Sequence, residues 1–226
     1  MKAAAVIVAA GASRRMGFDK LMAPLAGRPV VDWSLAAVQA CPEIQKAILV
    51  CAAERVPEFT RMAGSFPKVV RVVAGGAERS RSVLNGLEAL SGFEPDFVAV
   101  HDAARPLATP ELFSGVLAAS QKYGAASAAH AVSDSLHRAN ASGVLNSTVS
   151  REGLFAMETP QAGRFVDLLE AVQSHGAGAT DEVACLIAAG IPPFPFVHGG
   201  PNMKITLPDD LRAAGDVLRR RESPEA

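Results

Sequence analysis

The chain has 226 residues, 49% of them hydrophobic and 20% charged, which describes a globular protein with its own core and excludes intrinsic disorder. At about 150 residues per domain, this length suits one large domain with an excursion. Twenty-two Lys and Arg residues against 23 Asp and Glu residues leave a net charge of −1, so any anion site must be a local cluster and not a field over the whole surface.

Residues 3–10 (AAAVIVAA) read as a buried parallel strand that runs into a loop at Gly11. The apolar run is about eight residues long and meets Arg14 and Arg15, the wrong flank for a secretory signal. No run reaches the ~18 apolar residues of a membrane span, so a soluble, cytoplasmic protein is expected. A helix follows over 29–41 with Pro29 in its first turn, then a strand over 46–52, a short helix over 54–63 and a strand over 68–74. A GGAE turn leads to a helix over 79–91, and residues 96–101 (DFVAVH) form a fourth strand ending in DAARP. Thr109 and Pro110 mark a helix N-cap and first helical position, and that helix ends near Gly124. Alternating units of this kind imply an α/β fold with a mostly parallel sheet and helices on both faces. The pattern breaks over 132–160, which is more polar and carries a turn signal at 140–143; it reads as a projecting β-hairpin arm. An isolated hairpin is only marginally stable, and a second copy of the chain is the simplest surface for it to pack on. Helices over 164–175 and 180–189, a strand near 194–198 and a last helix to about Arg221 complete the chain, with RRRESPEA as a charged tail. The whole reads as one domain, 1–226.

Cys41, Cys51 and Cys185 have no C-x-x-C spacing and read as buried thiols of a reducing compartment. His130 and His137 are seven apart, which does not fit a metal-binding helix face; no protein-ligated metal is expected.

Five segments carry polar residues that a core does not need. The loop AAGASRRMGFDK (residues 9–20) follows a buried strand and holds Arg14, Arg15 and Lys20. It matches neither G-x-G-x-x-G nor G-x-x-x-x-G-K-S/T. Its cations suit a polyphosphate at the carboxyl edge of a sheet, or else a solvated basic turn. In GGAERSRSV (75–83), Gly75 and Gly76 let a base or ribose approach the backbone, with Ser82 offering a hydroxyl. In HDAARP (101–106), Asp102 could hold Mg²⁺ or orient a hydroxyl, or serve only as a turn cap; His101 reads as a buried strand-end histidine. TDE (180–182) opens a helix. NMKIT (202–206) places Lys204 between apolar neighbours on a short strand, where snorkelling would also account for it.

Taken in order, AAGASRRMG with Lys20, GGAERSRSV, HDAARP, TPQ (159–161), TDE and NMKIT resemble the 2-C-methyl-D-erythritol 4-phosphate cytidylyltransferases of the non-mevalonate isoprenoid pathway. The resemblance runs from about residue 2 to 218. It implies a Rossmann-like nucleotidyltransferase fold, a homodimer joined through the arm, Mg²⁺, and transfer of CMP from CTP to methylerythritol phosphate. On that resemblance Arg15, Lys20 and Lys204 are the catalytic cations. Ala9, Ala10, Gly11, Gly76, Ser82, Asp102 and Ala103 line the nucleotide. Asp102, Arg105, Ser135, Arg151 and Thr180 hold the acceptor, with Ser135 and Arg151 reaching across from a partner's arm. Gly17-Phe18-Asp19-Lys20 is shorter than the stretch ending in Pro-Lys that members often carry. Ala77 and Ser135 stand where a polar residue and threonine are common.

Three rivals follow from the same residues. D-ribitol 5-phosphate as acceptor would use the same nucleotide motifs; Arg151-Glu152-Gly153-Leu154 and HDAARP favour methylerythritol phosphate. A nicotinamide oxidoreductase would need the missing G-x-G-x-x-G. A non-catalytic nucleotide-binding protein would not need Arg15 together with both lysines.

Overall fold

The computed structural model describes residues 1–11 and 16–222. Its order is β1 (Ala3–Ala9), β2 (Pro24–Leu25), β3 (Arg28–Pro29), α1 (Val30–Ala40), β4 (Ile44–Cys51), α2 (Val56–Ala63), β5 (Val69–Ala74), α3 (Arg79–Glu88), β6 (Phe97–Asp102), α4 (Pro110–Tyr123), β7 (Ala125–Ala131), β8 (Leu136–Ala139), β9 (Leu145–Val149), β10 (Phe155–Arg164), α5 (Phe165–His175), α6 (Glu182–Ala188), β11 (Phe194–Val197) and α7 (Pro208–Glu222). Seven strands form one sheet in the order β11-β7-β10-β6-β1-β4-β5. β10 runs antiparallel to both β6 and β7, and the other neighbours pair in parallel.

The period-2 geometry of a strand sorts β1 onto two cores. Ala3, Ala5, Ile7 and Ala9 pack into one, with residues of α1 and α4; Ala4 and Val6 pack into the other, with residues of α3 and α5. A strand buried on both faces must be apolar throughout, which is why AAAVIVA has no alternation. Gly86 of α3 lets that helix approach closely, since a Cβ there would come within 2.4 Å of Val6 Cγ1. Thr109 caps α4 by accepting from the Leu112 amide, and Gly124 ends it at φ 91°, a conformation that favours glycine. The chain leaves β1 toward β4 and β5, then crosses to the other side of β1 as β6. Open α/β sheets bind ligands outside the carboxyl ends of their strands at such a reversal.

Three segments differ from expectation. Residues 125–131 (AASAAHA) have weak strand propensity, yet they form β7 because they lie between β10 and β11 with Ala125, Ala126, Ala128 and Ala129 buried. Residues 155–160 belong to the central sheet as part of β10, so the hairpin itself is β8 and β9. Pro160 falls where the β10–β7 ladder shifts between Met157 and Gln161, a break that tolerates a missing N–H. Residues 202–206 form no strand. Asn202 Nδ2 donates to Glu158 Oε2 and the Thr159 carbonyl, both at 2.8 Å, and the Ile205 amide donates to Ala104 O at 2.8 Å. The segment is thus pinned at two points without a continuous ladder.

Among the described residues, no helix is long and apolar enough to cross a membrane. Cys41, Cys51 and Cys185 are buried free thiols.

Candidate active site

The loop after β1 and the turn after β6 flank one crevice, because Val8 of β1 is in register with Asp102 of β6. A cavity of about 500 Å³ opens there, lined by Ala9, Ala10, Gly11, Lys20, Gly76, Ser82, Asp102 and Lys204 among others. The structure therefore brings together eight of the residues singled out from the sequence. Arg15 lies outside the described residues. Ala103 is fully buried with its amide on Val8 O, and Ala104 lines the cavity instead.

The wall on the α3 side is a glycine turn. A Cβ on Gly75 would lie 2.6 Å from Ala10 Cβ and 2.7 Å from Ser82 Oγ, so only glycine fits. Ser82 donates to Glu78 O and accepts from the Gly76 amide at 3.0 Å. Its hydroxyl holds the turn that forms this wall. Gly76, Ala77, Glu78 and Arg79 line the cavity where α3 begins, and the positive end of a helix dipole there favours an anion.

Asp102 is the electrostatic centre. Its Oδ2 accepts from Lys204 Nζ at 2.6 Å, and its Oδ1 accepts from Arg79 Nε at 3.1 Å. Burial alone would raise this carboxyl; Arg79 and Lys204 outweigh it and hold Asp102 well below the ordinary carboxylate range. Arg79 is shared. Its Nη1 and Nη2 fork onto Glu182 Oε1 and Oε2 at 2.6 and 3.1 Å, and Glu182 is almost wholly buried. Burial opposes the guanidinium charge, but Glu182 and Asp102 together keep it protonated. Lys20 Nζ donates to Ile205 O at 2.8 Å. The 202–206 segment thus gathers both lysines at the mouth of the cavity.

Arg79 and Glu182 were not singled out from the sequence, although both lie inside quoted segments. The arginine of GGAERSRSV and the carboxylate of TDE reveal their pairing only once α3 and α6 are placed.

His101 is fully buried behind the site. The Asp102 amide donates to Thr159 Oγ1 at 3.0 Å, the Thr159 hydroxyl donates to His101 Nδ1 at 3.1 Å, and His101 Nε2 donates to Arg105 O at 3.3 Å. This network assigns the neutral Nε2–H tautomer. Burial lowers the imidazole from 6.5 to about 4. The unfolded chain then binds more protons than the folded chain between those values, so stability falls as pH falls through that window. The loss amounts to about 3 kcal/mol. Urea unfolding from pH 6.5 to pH 4 should show this slope, and His101→Asn should flatten it; an unchanged slope in the variant would contradict the assignment.

Arg105 is mostly buried beside the site, with Nη1 on Asn202 O at 2.8 Å and 3.8 Å from Glu158. Glu158 also accepts from His198 Nε2 at 2.8 Å and approaches His130 Nδ1 at 3.2 Å. These partners are 28 to 97 residues apart in sequence, and no motif marks them. Arg105, Ser135, Arg151 and Thr180 do not line the cavity of their own chain. Ser135 and Arg151 are exposed on the arm, where Arg151 donates to Ser133 O. Thr180 is exposed, and Asp181 rather than Thr180 caps α6 by accepting from the Ala184 amide.

Residues 3–220 match the sequence profile of the family described as IspD, 2-C-methyl-D-erythritol 4-phosphate cytidylyltransferase. The chain belongs to this family. A 2-C-methyl-D-erythritol 4-phosphate cytidylyltransferase of Cereibacter sphaeroides is 41% identical over 221 residues, covering 96% of this chain and 97% of its relative. One of Dehalococcoides mccartyi is 36% identical over 222 residues, with 97% of each chain covered. The crystal structure of 4-diphosphocytidyl-2C-methyl-D-erythritol synthase from Anaerococcus prevotii superposes with a TM-score of 0.84 at 25% identity, covering 96% of both chains. The fold is therefore that of the α/β nucleotidyltransferases of the IspD family, as the order of motifs implied.

Proposed function

We propose that this chain transfers CMP from CTP to 2-C-methyl-D-erythritol 4-phosphate and releases pyrophosphate. The observation that carries this reading is the convergence of Lys20, Lys204 and the start of α3 on one glycine-walled cavity, in a chain of a cytidylyltransferase family.

The chemistry needs little from the protein beyond placement and charge. The attacking group is a phosphate monoester oxygen, largely ionised at neutral pH because the second pKa of such esters is about 6. No general base has to be found. Two anions must be brought together, so positioning and electrostatic stabilisation dominate. The Gly75–Gly76 turn admits the cytosine edge to the backbone. Lys20 binds the triphosphate from the loop side. Lys204 exchanges Asp102 for a phosphate oxygen, which places its ammonium beside the α-phosphorus as negative charge moves to the leaving pyrophosphate. Arg79 keeps Asp102 ionised and fixed throughout. Arg15 would add a further cation on the same phosphates.

The donor set fits Mg²⁺ carried by the nucleotide. The cavity offers one buried carboxylate, Asp102, and no cluster of three His, Cys, Asp or Glu exists among the described residues. Mg²⁺ takes one or two carboxylates together with substrate phosphates and water. When bound, the ion supplies charge neutralisation at the phosphate oxygens.

Arg105 and Thr180 would hold the acceptor from this chain at the edge of the cavity, and Ser135 and Arg151 would hold it from the arm of a second copy. Exposed Val144 and Leu145 on the hairpin suit burial in that homodimer. The buried thiols suit a reducing, cytoplasmic setting. Arg151→Ala should raise the KM for the acceptor and leave the CTP affinity nearly unchanged; a weakened CTP Kd in that variant would count against the assignment. The proposal as a whole is tested by ³¹P NMR of CTP, Mg²⁺ and methylerythritol 4-phosphate with catalytic enzyme. Growth of diphosphate-diester and pyrophosphate signals is expected, and unchanged spectra would overturn it.

A further inference from the structure

Asp19 and Arg55 lie 36 positions apart, and neither takes part in the mechanism above. The turn at Met16–Leu21 is anchored at both ends by the buried side chains of Met16 and Leu21, and Gly17 turns it at φ 71°. Between these anchors Phe18 and Asp19 are exposed. Asp19 nevertheless makes two bonds. Its Oδ1 accepts from the Leu21 amide at 3.0 Å, and its Oδ2 meets Arg55 Nη1 at 2.5 Å. Arg55 is itself immobilised. Its Nε and Nη2 both donate to Glu58 Oε2 at 3.0 Å, and its guanidinium stacks 4.4 Å above the ring of Phe59, which is fully buried. The arginine therefore offers a fixed point on the start of α2, beyond the end of β4.

We infer that Asp19 and Arg55 are a positioning pair that locks the turn holding Lys20, so that its ammonium reaches the cavity in the geometry the triphosphate needs. The lysine is flanked on one side by Asp19 and on the other by Leu21, the two residues that the Asp19 carboxylate ties together. Its Nζ reaches Ile205 O across the cavity mouth, a span that leaves little tolerance for a displaced backbone. Neither Asp19 nor Arg55 lines the cavity, so the pair acts through Lys20 and not on the substrate. Its half-exposed setting, with side-chain exposures of 38% and 22%, means that it adds little to global stability.

The inference rests on the reading that Lys20 binds the triphosphate, and the test separates the two. Full-length Asp19→Ala, Arg55→Ala, the double variant and Lys20→Ala are compared for kcat, KM for each substrate, CTP Kd and melting temperature. Asp19→Ala and Arg55→Ala should each lower kcat/KM for CTP by roughly ten- to hundredfold, the scale of a misplacement of about 1 Å. The acceptor KM and the melting temperature should stay near wild type. The double variant should be no worse than Asp19→Ala alone, because Arg55 acts only through Asp19. Asp19→Asn keeps the acceptor for the Leu21 amide while losing the charge, and should give an intermediate loss. Wild-type kcat/KM in Asp19→Ala and Arg55→Ala while Lys20→Ala is impaired would overturn the pair alone, as would additive losses in the double variant. Wild-type behaviour of Lys20→Ala would overturn the reading of Lys20 and the pair with it.

Discussion

Lys204→Ala should lose roughly 3–4 kcal/mol of transition-state stabilisation, a fall of about 10²–10³ in kcat/KM, comparable to removing one preorganised oxyanion donor. The size follows from placement. Lys204 is held at the mouth of the cavity by the pinned 202–206 segment, so its ammonium arrives without a search. It is also the Asp102 partner with the greater freedom to leave, since its side chain is 39% exposed against 24% for Arg79. In the variant Asp102 keeps Arg79, so no buried charge is stranded and the fold should be undisturbed. A near-native melting temperature with a hundredfold slower reaction is the expected pair of results. Wild-type turnover would remove Lys204 from the mechanism. Lys204→Arg is not expected to restore full activity, because a planar fork cannot reproduce the compact ammonium between Asp102 and a phosphate.

Glu182→Ala should have the largest effect on stability, about 3–5 kcal/mol in urea unfolding, the cost of breaking a buried ion pair from one side. Glu182 accepts a two-pronged fork from Arg79 at 2.6 and 3.1 Å and is almost completely shielded from water. Without it, Arg79 retains only Asp102, and the Nη1 side of its guanidinium loses its partner. Activity should fall as well, because the arginine that holds Asp102 loses its own support. Arg79→Met with Glu182→Leu should recover part of the stability, since an apolar pair of similar volume often replaces a buried ion pair without loss. It should not recover activity. A Glu182→Ala variant within 1 kcal/mol of wild type would show that the pair is a solvated contact.

What the sequence made legible divides along physical lines. The inner parallel strands were readable because burial on both faces leaves an unbroken apolar run, as in β1 and residues 47–51 of β4. The start of α4 was readable because Thr109 and Pro110 are a local device with one purpose. β7 was not, because alanines carry no strand signal and its pairing depends on β10 and β11, which come later in the chain. The cavity was readable through the resemblance: Lys20, Gly76, Ser82, Asp102 and Lys204 stand in the motifs that carry it, although Asp102 alone reads equally as a turn cap and Lys204 as a snorkelling side chain. The support behind it was not. Arg79 and Glu182 are 103 residues apart, and Glu158, His198 and Asn202 meet only when β10 and the segment after β11 come together. The arm residues Ser135 and Arg151 do not line the cavity of their own chain, so the role proposed for them requires a second copy.

What distinguishes the proposed reaction is the transfer of a cytidylyl group to one particular phosphorylated alcohol. Pyrophosphate release with CTP and Mg²⁺, run in parallel with 2-C-methyl-D-erythritol 4-phosphate and D-ribitol 5-phosphate, tests it most directly. Release with the first acceptor and not the second is the predicted result. Release only with ribitol phosphate, or with neither, would contradict it.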